Sequence, residues 1–229
     1  MKSGNKRQTV KLQLSYVCDG EKGREYGIYV AEGITDERRR FPRRISGGRA
    51  DTAIAVMCRE AGGERGKTAC RILERFEHWF RYEFPLNRQP FSPEVVRCYW
   101  SRIIGGRQEM EQSCRGLAVL LIDRRHLVFY GMGELAVYEY IPGEGKGRRW
   151  PIGRERHDLD RELGIPEEET ADFTFLSRSI SKDTLFLILP GQCSVKEPNQ
   201  LVRKRQMRQL ADELSRYVPC AVLCHVQRG

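Results

Sequence analysis

Little in this sequence points to a cross-linked scaffold, a membrane span or a nucleotide pocket. Eight cysteines are present but no Cys-x-x-Cys, so the paired thiolates at turn spacing that zinc sites need are missing. Cys220 and Cys224 come closest, in CAVLCHV, yet that segment reads as a strand, where four residues span roughly 13 Å. A chain of 229 residues with ample Leu, Ile, Val and Phe needs no disulfide framework, and its cysteines read as small core residues. No run approaches the roughly 18 apolar residues of a membrane span, and the opening MKSGNKRQTVKLQL lacks a signal-peptide core. The expectation is a cytoplasmic protein with no membrane partner. GMGEL at 131–135 does not read as a phosphate loop, because it lacks a third glycine at the right spacing, no Gly-Lys-Ser/Thr follows it, and a strand rather than a helix comes next. Only four histidines are present, and none of His78, His126, His157 and His225 is paired in sequence with a nucleophile. Cys193, in an expected loop, has no neighbouring base to activate it.

What the chain does have is positive charge and β-rich pattern. Lys and Arg number 40 against 31 Asp and Glu, a formal net charge of +9. The excess concentrates in ITDERRRFPRRISGGR (34–49), where six Arg stand against Asp36 and Glu37 in a segment that reads as a loop. Smaller clusters sit at Arg148-Arg149 and Arg203-Lys204-Arg205. No interleaved aromatic platform accompanies them, so a solvated surface is favoured over a nucleic-acid site.

The periodicity predicts strands over 9–17 and 26–31 joined as a hairpin, then a helix carrying Ala53, Ile54, Met57 and Ala61 that stops at Gly62-Gly63. A second helix places Ala69, Ile72, Leu73, Phe76, Trp79, Phe80 and Phe84 on one stripe. A third starts at Ser92-Pro93, an N-cap followed by proline at the first helical position. Strands over 116–122, 126–130 and 134–141 read as a meander, and the first is apolar on both faces, as a strand covered on both sides must be. An irregular connector follows, with a short helix in DRELGIP. Strands at 172–178 and 183–190, a helix through Met207 and Tyr217, and a strand at 220–226 close the chain. Blocks of strands and helices that do not alternate point to antiparallel sheets covered by helices, in one domain over 1–229.

Two carboxylates stand beside glycines at the ends of apolar strands, Glu32-Gly33 and Gly133-Glu134. Acids at strand ends are a common way to assemble an oxygen-ligand metal site. With these residues in view, the order of elements resembles the metal-dependent Ser/Thr protein phosphatases of the 2C (PPM) type. Val30-Ala31-Glu32-Gly33 is similar to that family's strand–Asp-Gly-x-Gly-Gly segment, and Gly133-Glu134-Leu135-Ala136 to its Gly-Asp-Ser-Arg turn. Leu163-Gly164 matches its Leu-Gly stretch. Pro190-Gly191-Gln192 aligns with its Ser-Asp-Gly-Leu, and Val218-Pro219 with the Asp-Asn pair before its last strand. The family's Arg and Glu-Asp segment between the first two strands is missing unless Arg24 or Asp19 substitutes.

The resemblance implies an α+β, four-layer α-β-β-α sandwich of two mainly antiparallel sheets. It also implies Mg or Mn as cofactor in an active member. Here Glu32 and Glu134 stand as vestigial metal ligands, and Pro190 and Val218-Pro219 remove a carboxylate from each of two strands. The expectation is a degenerate, inactive phosphatase-like domain in phosphosignalling of the bacterial kind. Arg38, Arg39, Arg40, Arg43 and Arg44 would bind a phosphorylated or acidic protein. The rivals are an active phosphatase with atypical ligands and a basic nucleic-acid-binding module.

Overall fold

A computed structural model describes residues 10–20, 22–32, 35–38, 43–45, 51–61, 67–87, 92–104, 114–142, 144, 146–150, 152, 173–191 and 207–228. The strands are β1 (Val10–Cys18), β2 (Tyr26–Glu32), β3 (Thr35–Arg38), β4 (Arg43–Ile45), β5 (Thr52–Glu60), β6 (Cys114–Asp123), β7 (His126–Gly133), β8 (Leu135–Ile141), β9 (Lys146–Trp150), β10 (Phe173–Ser179), β11 (Thr184–Pro190) and β12 (Cys220–Arg228). They form two sheets, β4-β1-β12-β11-β8-β9 and β10-β7-β6-β5-β2-β3, and every described pairing is antiparallel. The first is called sheet A below and the second sheet B.

The apolar strands divide their residues between two cores, as a period of two requires. In β6, Ala118, Leu120 and Ile122 enter the core between the sheets, while Leu117, Val119 and Leu121 face outward under helices. In β12, Cys220, Val222, Cys224 and Val226 face the same central core, and Ala221 and Leu223 face a third cluster on the far side of sheet A. Sheet B is covered by α1 (Lys67–His78) and α3 (Pro93–Ile104), with Ile72, Phe76, Val96, Trp100 and Ile104 packed on it. Sheet A is covered by α4 (Met207–Tyr217) through Leu210, Ala211 and Leu214. The order helix, sheet, sheet, helix is the expected four-layer sandwich.

Helix α1 continues into a π-helical stretch (Trp79–Glu83) and then α2 (Phe84–Asn87). Pro85 explains the widening. In α geometry its ring would collide with the carbonyl four residues back, and here the Phe84 N–H instead reaches the Trp79 carbonyl, five residues back. Helix α3 begins as its sequence predicts, with the Val95 N–H donating to Ser92 Oγ at 3.3 Å.

Four expectations need correction. Residues 53–60 are strand β5, not helix: Ala53, Ala55 and Met57 face one core while Ile54, Val56 and Cys58 face the other, so no polar alternation marks the period. β1 and β2 do not form a hairpin, because β1 pairs with β12 and β4 in sheet A and β2 with β5 and β3 in sheet B. β8 likewise leaves the β6–β7 hairpin for sheet A, pairing with β11 and β9. The Arg-rich loop contributes two edge strands, β3 and β4, and the connector after β8 contributes a third, β9. Charged residues on such edges oppose pairing with another chain, which accounts for Arg148 and Arg149 on β9 without any ligand. The short helix expected in DRELGIP lies outside the described residues.

The β6–β7 turn holds Arg124 at φ 56°, the left-handed region that glycine tolerates and other residues enter at a cost. Its N–H donates to the Asp51 carbonyl at 2.6 Å, and Thr52 Oγ1 donates to Asp123 Oδ1 at 2.8 Å, so the turn is held in place. Arg124→Gly is expected to stabilise the chain by about 1 kcal/mol in urea unfolding. A loss of stability would show that the Arg124 side chain, 3.9 Å from Asp51, contributes more than the strain removes.

Candidate functional site

At one end of the sandwich the chain passes from sheet to sheet, and there it gathers three charged side chains. Tyr26 pairs with Arg59, Arg59 with Gly116, and Gly116 with Gly133, so the end of β5 lies beside the β7–β8 crossing. The Arg59 guanidinium places Nη1 2.5 Å from Glu134 Oε2. Its Nε donates to Glu25 Oε2 at 3.2 Å, and Nη2 lies 3.1 Å from the same oxygen. Its Cζ stands 5.7 Å from the Tyr26 ring centroid, in cation–π range. Arg59 is 14% exposed, while Glu25 and Glu134 are 60% and 42% exposed. One covered cation is thus held by two carboxylates that reach in from the rim.

The backbone fixes Glu134 from three sides. Gly133 has φ +69°, and a Cβ there would lie 2.0 Å from the Arg115 carbonyl oxygen, so only glycine fits where the chain leaves sheet B. The Glu134 N–H donates to that carbonyl at 2.8 Å. The Glu134 carbonyl accepts the Gly191 N–H at 2.9 Å, which ties the crossing to the end of β11 in sheet A. Gly131, the other glycine of GMGEL, lies within β7 and is not a turn residue. Close by, the Asp19 N–H donates to the Pro219 carbonyl at 2.8 Å, and the Glu60 N–H to the Glu25 carbonyl at 2.9 Å. The segments holding positions 25, 59, 134 and 191 therefore converge, with Pro190 and Pro219 contributing rings rather than ligands.

Glu32 is elsewhere. It pairs with Ala53, six residues along β2 from Tyr26, and the same row continues to Ile122 and Leu127. That separation is about 20 Å along the strands. Glu32 and Glu134 occupy opposite ends of sheet B and cannot share an ion, which corrects the expectation that they form one vestigial site. Among the described residues no three His, Cys, Asp or Glu gather in a way that could hold a metal.

The arginine set is only partly described. Arg38 lies on β3 opposite Tyr29, and Arg43 and Arg44 lie on β4 opposite Val17 and Tyr16, so these three sit on the edges of the two sheets. Arg39 and Arg40 lie outside the described residues, as do His157 and Cys193. His78 has Nδ1 3.3 Å from Glu83 Oε1 on an exposed helix face. His225 is on β12 near Asp183, and burial holds it below its ordinary value. Neither joins the Arg59 cluster.

Arg59 and Glu25 were not legible as site residues. A signal existed in Cys58-Arg59-Glu60-Ala61-Gly62-Gly63, a charged pair and a Gly-Gly placed after an apolar strand and before a helix. The same Gly-Gly reads equally well as a helix stop.

No family model matches the chain, and no curated protein matches it. Its fold, however, is that of the 2C-type Ser/Thr phosphatases. The catalytic domain of the serine/threonine phosphatase PstP, solved with two manganese ions, superposes with a TM-score of 0.62 at 13% identity, covering 96% of this chain and 100% of that one. RsbX, solved with magnesium, gives 0.56 at 13% identity over 96% and 100%. The phosphatase domain of the cell-fate determinant SpoIIE from Bacillus subtilis gives 0.52 at 11% over 97% and 94%. Among the described residues no helix is long and apolar enough to cross a membrane.

Proposed function

We propose that this chain is a 2C-phosphatase fold without metal-dependent hydrolysis, acting as a binding or regulatory module for a phosphorylated or acidic protein. The observation that carries the reading is Arg59, a guanidinium held between Glu25 and Glu134 at the end of the sandwich. In the family pattern the Asp-Gly-x-Gly-Gly acid ends the strand that leads into the first helix. That strand is β5 here, so the motif falls on Arg59-Glu60-Ala61-Gly62-Gly63 and its acid falls on Arg59. Two-metal hydrolysis needs carboxylates that hold and bridge the ions so that a bound water ionises. A guanidinium has five donors and no acceptor, stays charged, and cannot be a ligand. Glu25 and Glu134 are engaged by it, and Pro190 and Pro219 offer no side-chain donor. This donor set does not fit a pair of Mg²⁺ or Mn²⁺ ions.

The binding role is supported by Arg38, Arg43 and Arg44 on an edge strand of each sheet, since the planar fork of arginine pairs bidentately with phosphate oxygens. Hydrolysis of an aryl phosphate with excess Mn²⁺ is expected to equal the protein-free control. Turnover abolished by Glu134→Ala would overturn the inactive reading. A phosphoserine peptide of basic-to-neutral sequence is expected to bind more tightly than its unphosphorylated twin, by at least tenfold, and Arg43→Ala/Arg44→Ala to remove the preference. Equal binding of both peptides, with steeply salt-dependent binding to random-sequence DNA, would favour the nucleic-acid role instead.

A further inference from the structure

Beneath the Arg59 cluster lies a pair of thiols that the proposed function does not use. Cys58 precedes Arg59 on β5, and Cys114 precedes Arg115, whose carbonyl receives the Glu134 N–H. Both cysteines are buried and free, on the helix-covered face of sheet B. Their Sγ atoms are 3.0 Å apart, closer than non-bonded sulfurs ordinarily sit. A disulfide needs about 2.05 Å, so roughly 1 Å of approach remains.

The backbone here can supply that movement. Arg59 faces Gly116 but Glu60 faces Cys114, so the register slips and Arg115 is the extra residue of a bulge on β6. The two thiols are also inequivalent. Cys114 Sγ donates to the Gly116 carbonyl at 2.8 Å, which leaves Cys58 as the donor to Cys114. That bond, with burial, raises the Cys58 thiol, while accepting it holds Cys114 below the ordinary thiol range despite burial. Cys18 and Cys220 are directly opposed on β1 and β12, and each Sγ faces the Gly23 carbonyl, at 3.8 and 4.0 Å.

We propose that Cys58 and Cys114 are an oxidation site at which a small hydroperoxide closes a cross-strand disulfide. The Cys114 thiolate attacks a peroxide oxygen and the O–O bond breaks, giving a sulfenic acid and a hydroxide that takes up a proton as water. The Cys58 sulfur then displaces the sulfenic hydroxyl, which leaves with the Cys58 proton as a second water. Two electrons pass from the thiols to the peroxide, and two thiols plus one hydrogen peroxide give one disulfide and two waters. Closure joins the residues just before Arg59 and Arg115, the two backbone positions that set Arg59 opposite Glu134. The site does not depend on whether the domain hydrolyses phosphate.

The test uses the full chain with the exposed Cys70 and Cys98 replaced (Cys70→Ser/Cys98→Ser), treated with hydrogen peroxide, alkylated under denaturing conditions and mapped by mass spectrometry. The expected product is a Cys58–Cys114 linked peptide pair that dithiothreitol releases. Recovery of both cysteines as alkylated free thiols while other cysteines oxidise would overturn the proposal. So would a Cys18–Cys220 link formed in preference. Cys58→Ala is expected to leave Cys114 without a resolving partner, so that it advances to sulfinic acid. If that variant does not fold, the map of the parent decides.

Discussion

Replacing Arg59 by aspartate is expected to create a divalent-cation site where the parent has none. Glu25 and Glu134 come from different elements, one just ahead of β2 and one at the β7–β8 crossing, yet both approach the same guanidinium within 3.2 Å. Arg59→Asp changes one cation and two carboxylates into three carboxylates. Hard divalent cations are bound by oxygen donors of this kind. The variant is expected to be less stable than the parent without metal, through mutual repulsion of the acids. Mn²⁺ is expected to raise its melting temperature in a concentration-dependent way, as ligand binding to the folded state must. A gain in Mn²⁺ affinity of at least tenfold, about 1.4 kcal/mol, is expected in calorimetry. Arg59→Gln serves as the control, since it removes the cation without adding a ligand, and is expected to show no gain. If Arg59→Asp folds and binds Mn²⁺ no better than Arg59→Gln, the carboxylates do not converge as the ion cluster indicates. Hydrolysis by the variant is not expected, because Pro190 and Pro219 supply no carboxylate.

The same cluster shows why the sequence was informative in some places and silent in others. Strands and helices with one buried face could be read from their period: α1, α3 and α4 carry stripes, and the turn at Arg124-Arg125 separates β6 from β7 as expected. β5 defeated that reasoning because it is covered on both faces, and Ala53, Ile54, Met57 and Ala61 happen to fit a helical stripe as well. A period of two also says which face a residue takes but not which strand lies beside it. The crossings at residues 19–25 and at Glu134 were therefore indistinguishable from tight hairpins. One error then produced another. With β5 read as helix, β2 became the strand leading into the helices, and Glu32 took the place that the proposed alignment gives to Arg59. Glu134 stood out in the sequence because an acid was sought there. Arg59 was missed because it carries the opposite charge.

Glu139→Ala is expected to cost about 1–3 kcal/mol, the range for leaving a buried hydrogen-bonding group without its partner, because the Arg178 side chain is 35% exposed and keeps some access to water. Glu139 is on β8, only 6% exposed, and shares its face with Leu135 and Val137, both in the core between the sheets. One carboxylate oxygen accepts the Trp150 Nε1–H at 3.1 Å, and the other pairs with Arg178 Nη2 from β10, across the core in the opposite sheet. Arg178 also lies 5.6 Å from the Trp150 ring centroid, so the three side chains form one unit that joins the two sheets. Truncation leaves a guanidinium and an indole N–H facing apolar neighbours such as Phe129 and Phe186, which already pack on Trp150. Against a typical domain stability of about 5–15 kcal/mol, such a loss is large enough to unfold part of the population at 37 °C. Removing both charges should cost far less, since apolar replacement of a buried pair is often neutral. The double variant Glu139→Leu/Arg178→Met is therefore expected to recover most of the stability lost by Glu139→Ala in urea unfolding. A cost below about 1 kcal/mol for the single change, the size of a surface pair, would mean that water at the partly exposed Arg178 screens the contact completely.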